Sequence, residues 1–252
     1  MGILSALGIG GKTLYYPGCL TKGVLKTELD NYKAIFNKLG IDFIMLPADE
    51  VCCGLPILNA GYKKDAKKLA QKNLELFKSR GIKKIITNCP SCYHTFKNLY
   101  LDLVPGWKES GIEVEHATVT ILNALKKKGI DYSSMPDKEK EPIAYHDPCH
   151  LGRYSQIYEQ PREVIKRLGG IIIESKFNRE NAFCCGAGGG MRANYPEIAR
   201  AAAKKKSQYT DSRAGKIISP CGLCYSNIQT ADERSEEFSS FVLRKLNSRG
   251  IQ

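Results

Sequence analysis

Two short stretches decide the architecture: Ile85-Ile86-Thr87-Asn88-Cys89-Pro90-Ser91-Cys92 and Ile217-Ile218-Ser219-Pro220-Cys221-Gly222-Leu223-Cys224. Each runs from β-branched residues, which favour a strand, into a C-x-x-C that opens a helix. Working outward, the same five-cysteine order surrounds both. The first set is Cys19, then Cys52-Cys53-Gly54, then Cys89 and Cys92. The second is Cys149, then Cys184-Cys185-Gly186, then Cys221 and Cys224. The copies lie 130 residues apart at the lone cysteine and 132 apart at the other four, and all ten cysteines of the 252-residue chain are used.

Around each set, strand alternates with helix. The first copy reads as strand Thr13–Tyr16, helix Val24–Leu39 closed by Gly40, strand Ile41–Leu46, a CCG loop over 47–59, helix Lys63–Arg80, strand Lys84–Thr87 and helix Ser91–Leu103. The second reads as strand Ile143–Tyr145, helix Pro161–Leu168, strand Ile171–Glu174, the loop 183–190, helix Tyr195–Tyr209, strand Lys216–Ser219, a helix from Cys221, and a closing helix Glu233–Leu246. Such alternation predicts an α/β fold of two pseudo-symmetric Rossmann-like units with mostly parallel sheets. The expected division is an N-terminal extension 1–12, a first unit 13–105, a linker 106–141 whose stretch Met135–Lys140 is polar and exposed, and a second unit 142–252 with the C-terminal helix. The cysteines then fall after the strands, at the carboxyl ends where open α/β sheets bind ligands.

Composition narrows the chemistry. Apolar residues make up 42%, enough for a core, and no run approaches a membrane span. The first twelve residues lack the basic region of a signal peptide, and Ala6 breaks a myristoylation pattern. Ten cysteines without a secretion signal point to a reducing, cytoplasmic setting and metal ligation rather than disulfides. Five thiolates exceed the four that a tetrahedral zinc or a standard cubane takes, and soft donors suit zinc, copper(I) or iron–sulfur chemistry. Gly54 and Gly186 would permit a turn that lets both adjacent thiols face one large centre. The net charge of +12 lies on helical lysines such as Lys63, Lys64, Lys67, Lys68 and Lys204–Lys206, a solvated face or a steering surface for an acidic redox partner. No nucleic-acid motif appears, and Gly186–Gly190 belongs to the cysteine motif rather than to a nucleotide loop.

The motifs CCG-L-P with C-P-S-C, H-D-P-C-H-L-G-R over 146–153, Tyr158-x-x-Pro161-Arg162, F-C-C-G-A-G-G-G-M over 183–191 and S-P-C-G-L-C over 219–224 resemble the CCG, or cysteine-rich, domain family. That family includes the catalytic subunit of heterodisulfide reductase (B or D type), a subunit of some succinate and thiol:fumarate reductases, and iron–sulfur subunits of lactate, glycolate and glycerol-3-phosphate oxidation. The resemblance spans about residues 13–230. It implies two noncubane [4Fe-4S] clusters, one on Cys19, Cys52, Cys53, Cys89 and Cys92, the other on Cys149, Cys184, Cys185, Cys221 and Cys224. It implies disulfide reduction or thiol oxidation between them, in a multi-subunit complex. The ferredoxin-like C-x-x-C-x-x-C-x-x-x-C-P segment of longer members is not found, so electrons are expected through a ferredoxin-like subunit and a flavoprotein, with any membrane association through partners. His146 and His150, flanking Cys149, are candidate proton donors to a product thiolate or a cluster sulfur, or loop-orienting hydrogen bonders, with His94 a third candidate. Arg153 and Arg162 are candidates for a substrate carboxylate or phosphate, or for structural pairing; Tyr15 and Tyr16 read as core, and Trp107 as packing within the linker. The competing functions are an electron relay without substrate chemistry and a zinc-stabilised scaffold. The enzymatic reading predicts a groove between the halves.

Overall fold

A computed structural model describes residues 11–251. In the first half, β1 (Lys12–Tyr15) leads into α1 (Gly18–Gly23) and α2 (Lys26–Leu39). Next come α3 (Leu55–Asn59), α4 (Lys63–Ser79) and β2 (Ile82–Thr87). The C-x-x-C helix α5 (Pro90–His94) opens into a π turn, Thr95–Leu99, and tightens again as α6 (Tyr100–Leu103). β3 (Glu113–His116) and α7 (Ala117–Lys127) complete the half. The second half holds β4 (Glu141–Tyr145), α8 (Glu159–Arg167), β5 (Gly170–Ile172), α9 (Met191–Asn194) and α10 (Pro196–Gln208). It closes with β6 (Lys216–Ser219), α11 (Gly222–Ile228), β7 (Ser235–Glu237) and α12 (Phe238–Ser248).

Both sheets are parallel, in the orders β1-β2-β3 and β5-β4-β6-β7. The segment expected as strand Ile41–Leu46 is reduced to one parallel bridge, Ile44 to Leu14. Ile41 gives its N–H to Phe36 in closing α2, and Pro47 has none to give, so only Ile44 bonds on both sides, to Thr13 and Tyr15. With that bridge counted, the sheets match position for position.

Two expectations need correction. The stretch 106–141 is more than a linker: β3 extends the first sheet beside β2, and α7 buries Ile121, Leu122 and Leu125, while the polar segment Met135–Lys140 does hold the exposed run 136–139. Its longest exposed runs are only 126–129 and 136–139. The closing helix begins at Phe238 rather than Glu233, because Ser235–Glu237 form β7 beside β6. The two strands carry the hydrophilic sequences Glu113-Val-Glu-His116 and Ser235-Glu-Glu237, which do not look like strands until they meet an edge. The expected extension 1–12 lies outside the described residues save for its end, where Lys12 already belongs to β1.

The halves share one core. α2 packs on α12 and α7 on α8, so each half's first long helix meets the other half's last. Tyr32, Ile35 and Phe36 of α2 thereby bury against Phe238, Phe241 and Leu246 of α12, at about 1.5–3 kcal/mol for each large side chain withdrawn from water. Polar contacts fix the register: Tyr32 donates to Glu237 at 3.0 Å, Asn31 to Ser240 at 3.1 Å, and Lys126 pairs with Glu163 at 3.0 Å.

Candidate functional site

At the first site, β1 is followed by Tyr16-Pro17-Gly18, which delivers Cys19 on the first turn of α1. Gly18 has φ +77°, and a Cβ there would lie 3.2 Å from the Cys92 sulfur, so only glycine lets the backbone pass so close to the thiols. Gly54, at φ +94°, turns the chain from Cys52-Cys53 into α3 and donates its N–H to the Cys52 sulfur at 3.4 Å. The carbonyls of the adjacent cysteines are pinned from outside: Asn73 donates to Cys52 O and Tyr100 to Cys53 O, both at 3.0 Å. Asn88, at the end of β2, accepts from Tyr15 and donates to Thr21, tying β1, β2 and α1 together.

These anchors bring all five sulfurs into one contact chain, Cys19–Cys52–Cys53–Cys92–Cys89. Hydrogen bonds from Cys52 and Cys92 hold the Cys53 thiol well below its usual pKa; the bond from Cys92 lowers Cys89. The donors shift the opposite way: Cys92, bonded to Cys53 and Cys89, and Cys19, bonded to Cys52, are both raised. Thiols that share protons in this way lose them together when a metal replaces the protons.

The second site is built alike. Gly186, at φ +84°, donates to the Cys184 sulfur at 3.4 Å. Asn227 donates to Cys185 O at 2.7 Å and to Ala199 O at 3.0 Å. Cys184, Cys185, Cys224 and Cys221 form a contact chain, with Cys149 close enough to feel the charges of Cys185 and Cys221. Cys185 is held low by bonds from Cys184 and Cys224; Cys224 is raised by the bonds it gives to Cys185 and Cys221. Cys19 and Cys184 are the exposed members of their sets. A cavity of about 540 Å³ opens on Cys184, lined by Lys176, Phe177, Asn181, Phe183 and Tyr209, all from the second half.

The loop carrying Cys149 is braced by charge. Buried Arg162 takes Asp147 through two nitrogens at 2.6 and 2.8 Å and Glu174 at 2.8 and 2.9 Å. Arg153 donates to the Ala182 carbonyl at 2.8 Å. Both arginines, candidates for substrate from sequence, are thus engaged by the fold.

The two sites approach each other crosswise. The first-cysteine loop of each half packs against the C-x-x-C helix of the other. Gly222 faces Leu25 and Leu20, just beyond Cys19; its hydrogen occupies a place where a Cβ would come within 2.4 Å of Leu25. In the mirror contact, Leu151 and Ile157 share a core with Cys92, Tyr93 and Phe96. There His94, His150 and Tyr154 form a triangle with ring centroids 5.1–5.6 Å apart. Asn98 holds it, 2.9 Å from His94 Nδ1 and 3.3 Å from Tyr154 O. His150 Nδ1 lies 3.5 Å from the Cys149 sulfur, and burial lowers its pKa. Tyr100, Asn73, Asn227 and Tyr154 carry no motif; of the residues that build the sites, they could not be singled out from sequence.

The cysteine-rich domain pattern, CCG, matches residues 13–97 and 143–229. The chain belongs to the CCG cysteine-rich domain family. This CCG protein is 35% identical over 221 residues to the D subunit of the dihydromethanophenazine:CoB–CoM heterodisulfide reductase of Methanosarcina acetivorans, covering 85% of this chain and 53% of that one. The same subunit in Methanosarcina barkeri is 33% identical over 239 residues, 92% of this chain and 56% of that one. An EtfAB:quinone oxidoreductase of Syntrophomonas wolfei is 35% identical over 238 residues, 88% of this chain and 32% of that one. The CCG chain thus spans about half, or less, of the length of these curated relatives. Among its described residues no helix is long and apolar enough to cross a membrane.

Proposed function

We propose that this chain is an iron–sulfur redox subunit of a multi-subunit complex, reducing a disulfide or oxidising thiols. In this reading Cys19, Cys52, Cys53, Cys89 and Cys92 hold one noncubane [4Fe-4S] cluster, and Cys149, Cys184, Cys185, Cys221 and Cys224 hold the other. The observation that carries it is the gathering of five thiols in the first half and of four in the second with Cys149 nearby, the two sets packed crosswise against each other. The donor set suits the group: ten soft sulfurs, none in a disulfide, on backbone kept glycine-thin where it passes them. Bound there, such clusters supply one-electron chemistry to a sulfur substrate. The fold's own contribution is to hold the thiolates, to bury all but Cys19 and Cys184 at least partly, and to set His150 beside Cys149 as a proton donor to a product thiolate, with His146 the second candidate. The cavity at Cys184 gives a substrate its approach.

Residues 13–105 and 142–252 act in this proposal as the two copies of one cluster-binding unit, the first completed by β3 and α7 from the stretch between them, and the two fused through their common core. Electrons come from a partner, a ferredoxin-like iron–sulfur subunit or a flavoprotein, in a reducing cytoplasmic setting, with any membrane contact made by partner subunits. The exposed lysines of α4, Lys64, Lys67, Lys68 and Lys72, line one open groove and suit an acidic partner. The similarity to an EtfAB:quinone oxidoreductase favours a second reading, an electron relay without substrate chemistry. Iron and acid-labile sulfide analysis after anaerobic purification tests the common ground: about eight iron per chain is expected for two four-iron clusters, and zinc without sulfide would overturn it. EPR of the oxidised protein with candidate thiols then separates the two. A new paramagnetic state on thiol addition supports the enzyme; an unchanged spectrum in a protein that a partner flavoprotein reduces supports the relay.

A further inference from the structure

The two sites differ at one buried position. Three residues before the lone cysteine stands Tyr16 in the first half and His146 in the second. The Tyr16 hydroxyl donates to the Val51 carbonyl at 2.5 Å and is thereby committed to the backbone ahead of Cys52. His146 is 1% exposed, and its main-chain N–H is fixed to Ile218 O at 2.9 Å, at the end of β4. Among the described residues neither ring nitrogen meets a partner at full hydrogen-bond geometry, as is also true of the buried Tyr145 and Ser219 hydroxyls, the Asn73 amide oxygen and His116 Nε2; His146 is set apart from these by the Cys185 thiol, which lies near enough for a hydrogen bond from the ring to help hold it low. One ring nitrogen and the sulfurs of Cys185 and Cys224 all lie within 4.8 Å of one another. An imidazole carries at least one N–H in either protonation state, and a buried donor left without an acceptor is unfavourable. The acceptors that its position offers are sulfurs of the second site.

We propose that His146 donates its ring N–H to the sulfur shell of the second metal centre, a contact the first centre lacks, so that the second centre has the higher reduction potential. A donor aimed at sulfur stabilises the reduced, more negative state more than the oxidised one. With clusters bound, an electron shared between the two centres would favour the second, whose ligand Cys149 lies beside His150 and whose Cys184 lines the cavity. This rests on the iron–sulfur reading above.

The test is a redox titration of the whole chain, followed by visible absorption and EPR, for wild type, His146→Phe and His146→Gln, with iron and sulfide measured on each. Two waves are expected in wild type. In His146→Phe the upper wave moves down toward the lower, which stays in place; in His146→Gln, which keeps an N–H donor, most of the separation remains. Unchanged waves in a fully loaded His146→Phe protein overturn the proposal. If that variant loses iron, pulsed EPR of the ¹⁵N-histidine-labelled His150→Phe protein decides. A ¹⁵N coupling with an exchangeable proton at one reduced centre supports the contact, and no ¹⁵N coupling at either centre overturns it. A wild-type protein without iron or sulfide removes the underlying reading instead, so the two failures are told apart.

Discussion

Arg162→Ala tests the charged brace beneath the second site. The Arg162 side chain is 1% exposed and Asp147 2%. Asp147 accepts two bonds from the guanidinium and one from the Arg179 N–H at 2.8 Å. The guanidinium also lies 4.6 Å from the centre of the Tyr145 ring. Burial works against the charge on Arg162, but the two carboxylates outweigh it and hold its pKa above the usual value. Removing the guanidinium leaves a buried carboxylate with one backbone donor, a loss of about 3–5 kcal/mol. With a urea m-value of about 3 kcal/mol/M the midpoint falls by about 1–1.7 M. The double variant Arg162→Met/Asp147→Leu recovers much of this, because apolar groups of similar volume replace a buried pair at little cost. Asp147 lies two residues before Cys149, so the site-level effect is local: on the proposed two-cluster reading, iron in the single variant falls from about eight toward about four per chain. A midpoint shift below ~0.3 M, corresponding to under ~1 kcal/mol, or equal iron loss from both centres, refutes the brace.

Three further outcomes follow from particular side chains. Burial raises the fully enclosed Glu237 to about 7 against bonds from Ser239 and Tyr32; the fold therefore binds a proton that the unfolded chain releases above about 4.5. Stability should decline by about 3 kcal/mol as pH rises from 4.5 to 7, and Glu237→Gln should flatten that slope in urea midpoints taken across the window; an unchanged slope assigns it elsewhere. Buried Lys206 is lowered to about 8 by desolvation, with Asp147, Glu174 and Asp232 opposing. Between about 8 and 10.5 the unfolded chain binds the extra proton, so stability rises with pH there, and Lys206→Met should abolish that rise. A Cβ at Gly186 would meet Ala202 at 2.5 Å and Ala199 O at 3.0 Å, whereas at Gly54 the nearest atom is 3.5 Å away. Both alanines bear the left-handed φ penalty of about 1–2 kcal/mol, but Gly186→Ala must also displace α10, so thermal melts should show the larger loss there; equal losses would deny the difference in packing.

Much of the α/β alternation was legible because strong strand formers and capped amphipathic helices announce themselves locally. Lys216–Ser219 emerges with the bounds expected for it. The fourth position of each sheet was not legible. Glu113–His116 and Ser235–Glu237 are too polar to signal a strand alone, and they become one only by bonding to β2 and β6. Conversely Ile41–Leu46 looks like a strand and makes one bridge, since its ends are committed to the α2 cap and to Pro47. Of the histidines, sequence marked those beside the cysteines, but not that His94 and His150 meet across the halves, nor that the His146 ring meets no partner at full hydrogen-bond geometry.

The ten cysteines, by their order and spacing alone, determined that two equivalent thiol sets exist and that each falls beyond the ends of parallel strands. That follows from local physics: strand propensity, helix starts at C-x-x-C, and glycine where the backbone must turn left-handed. Only the tertiary structure decided that the halves are not beads on a linker. α2 buries against α12 and α7 against α8 because neither half covers its own apolar helices. The crosswise packing seats each first-cysteine loop on the other half's C-x-x-C helix, and so turns two similar sites into an adjoining, inequivalent pair.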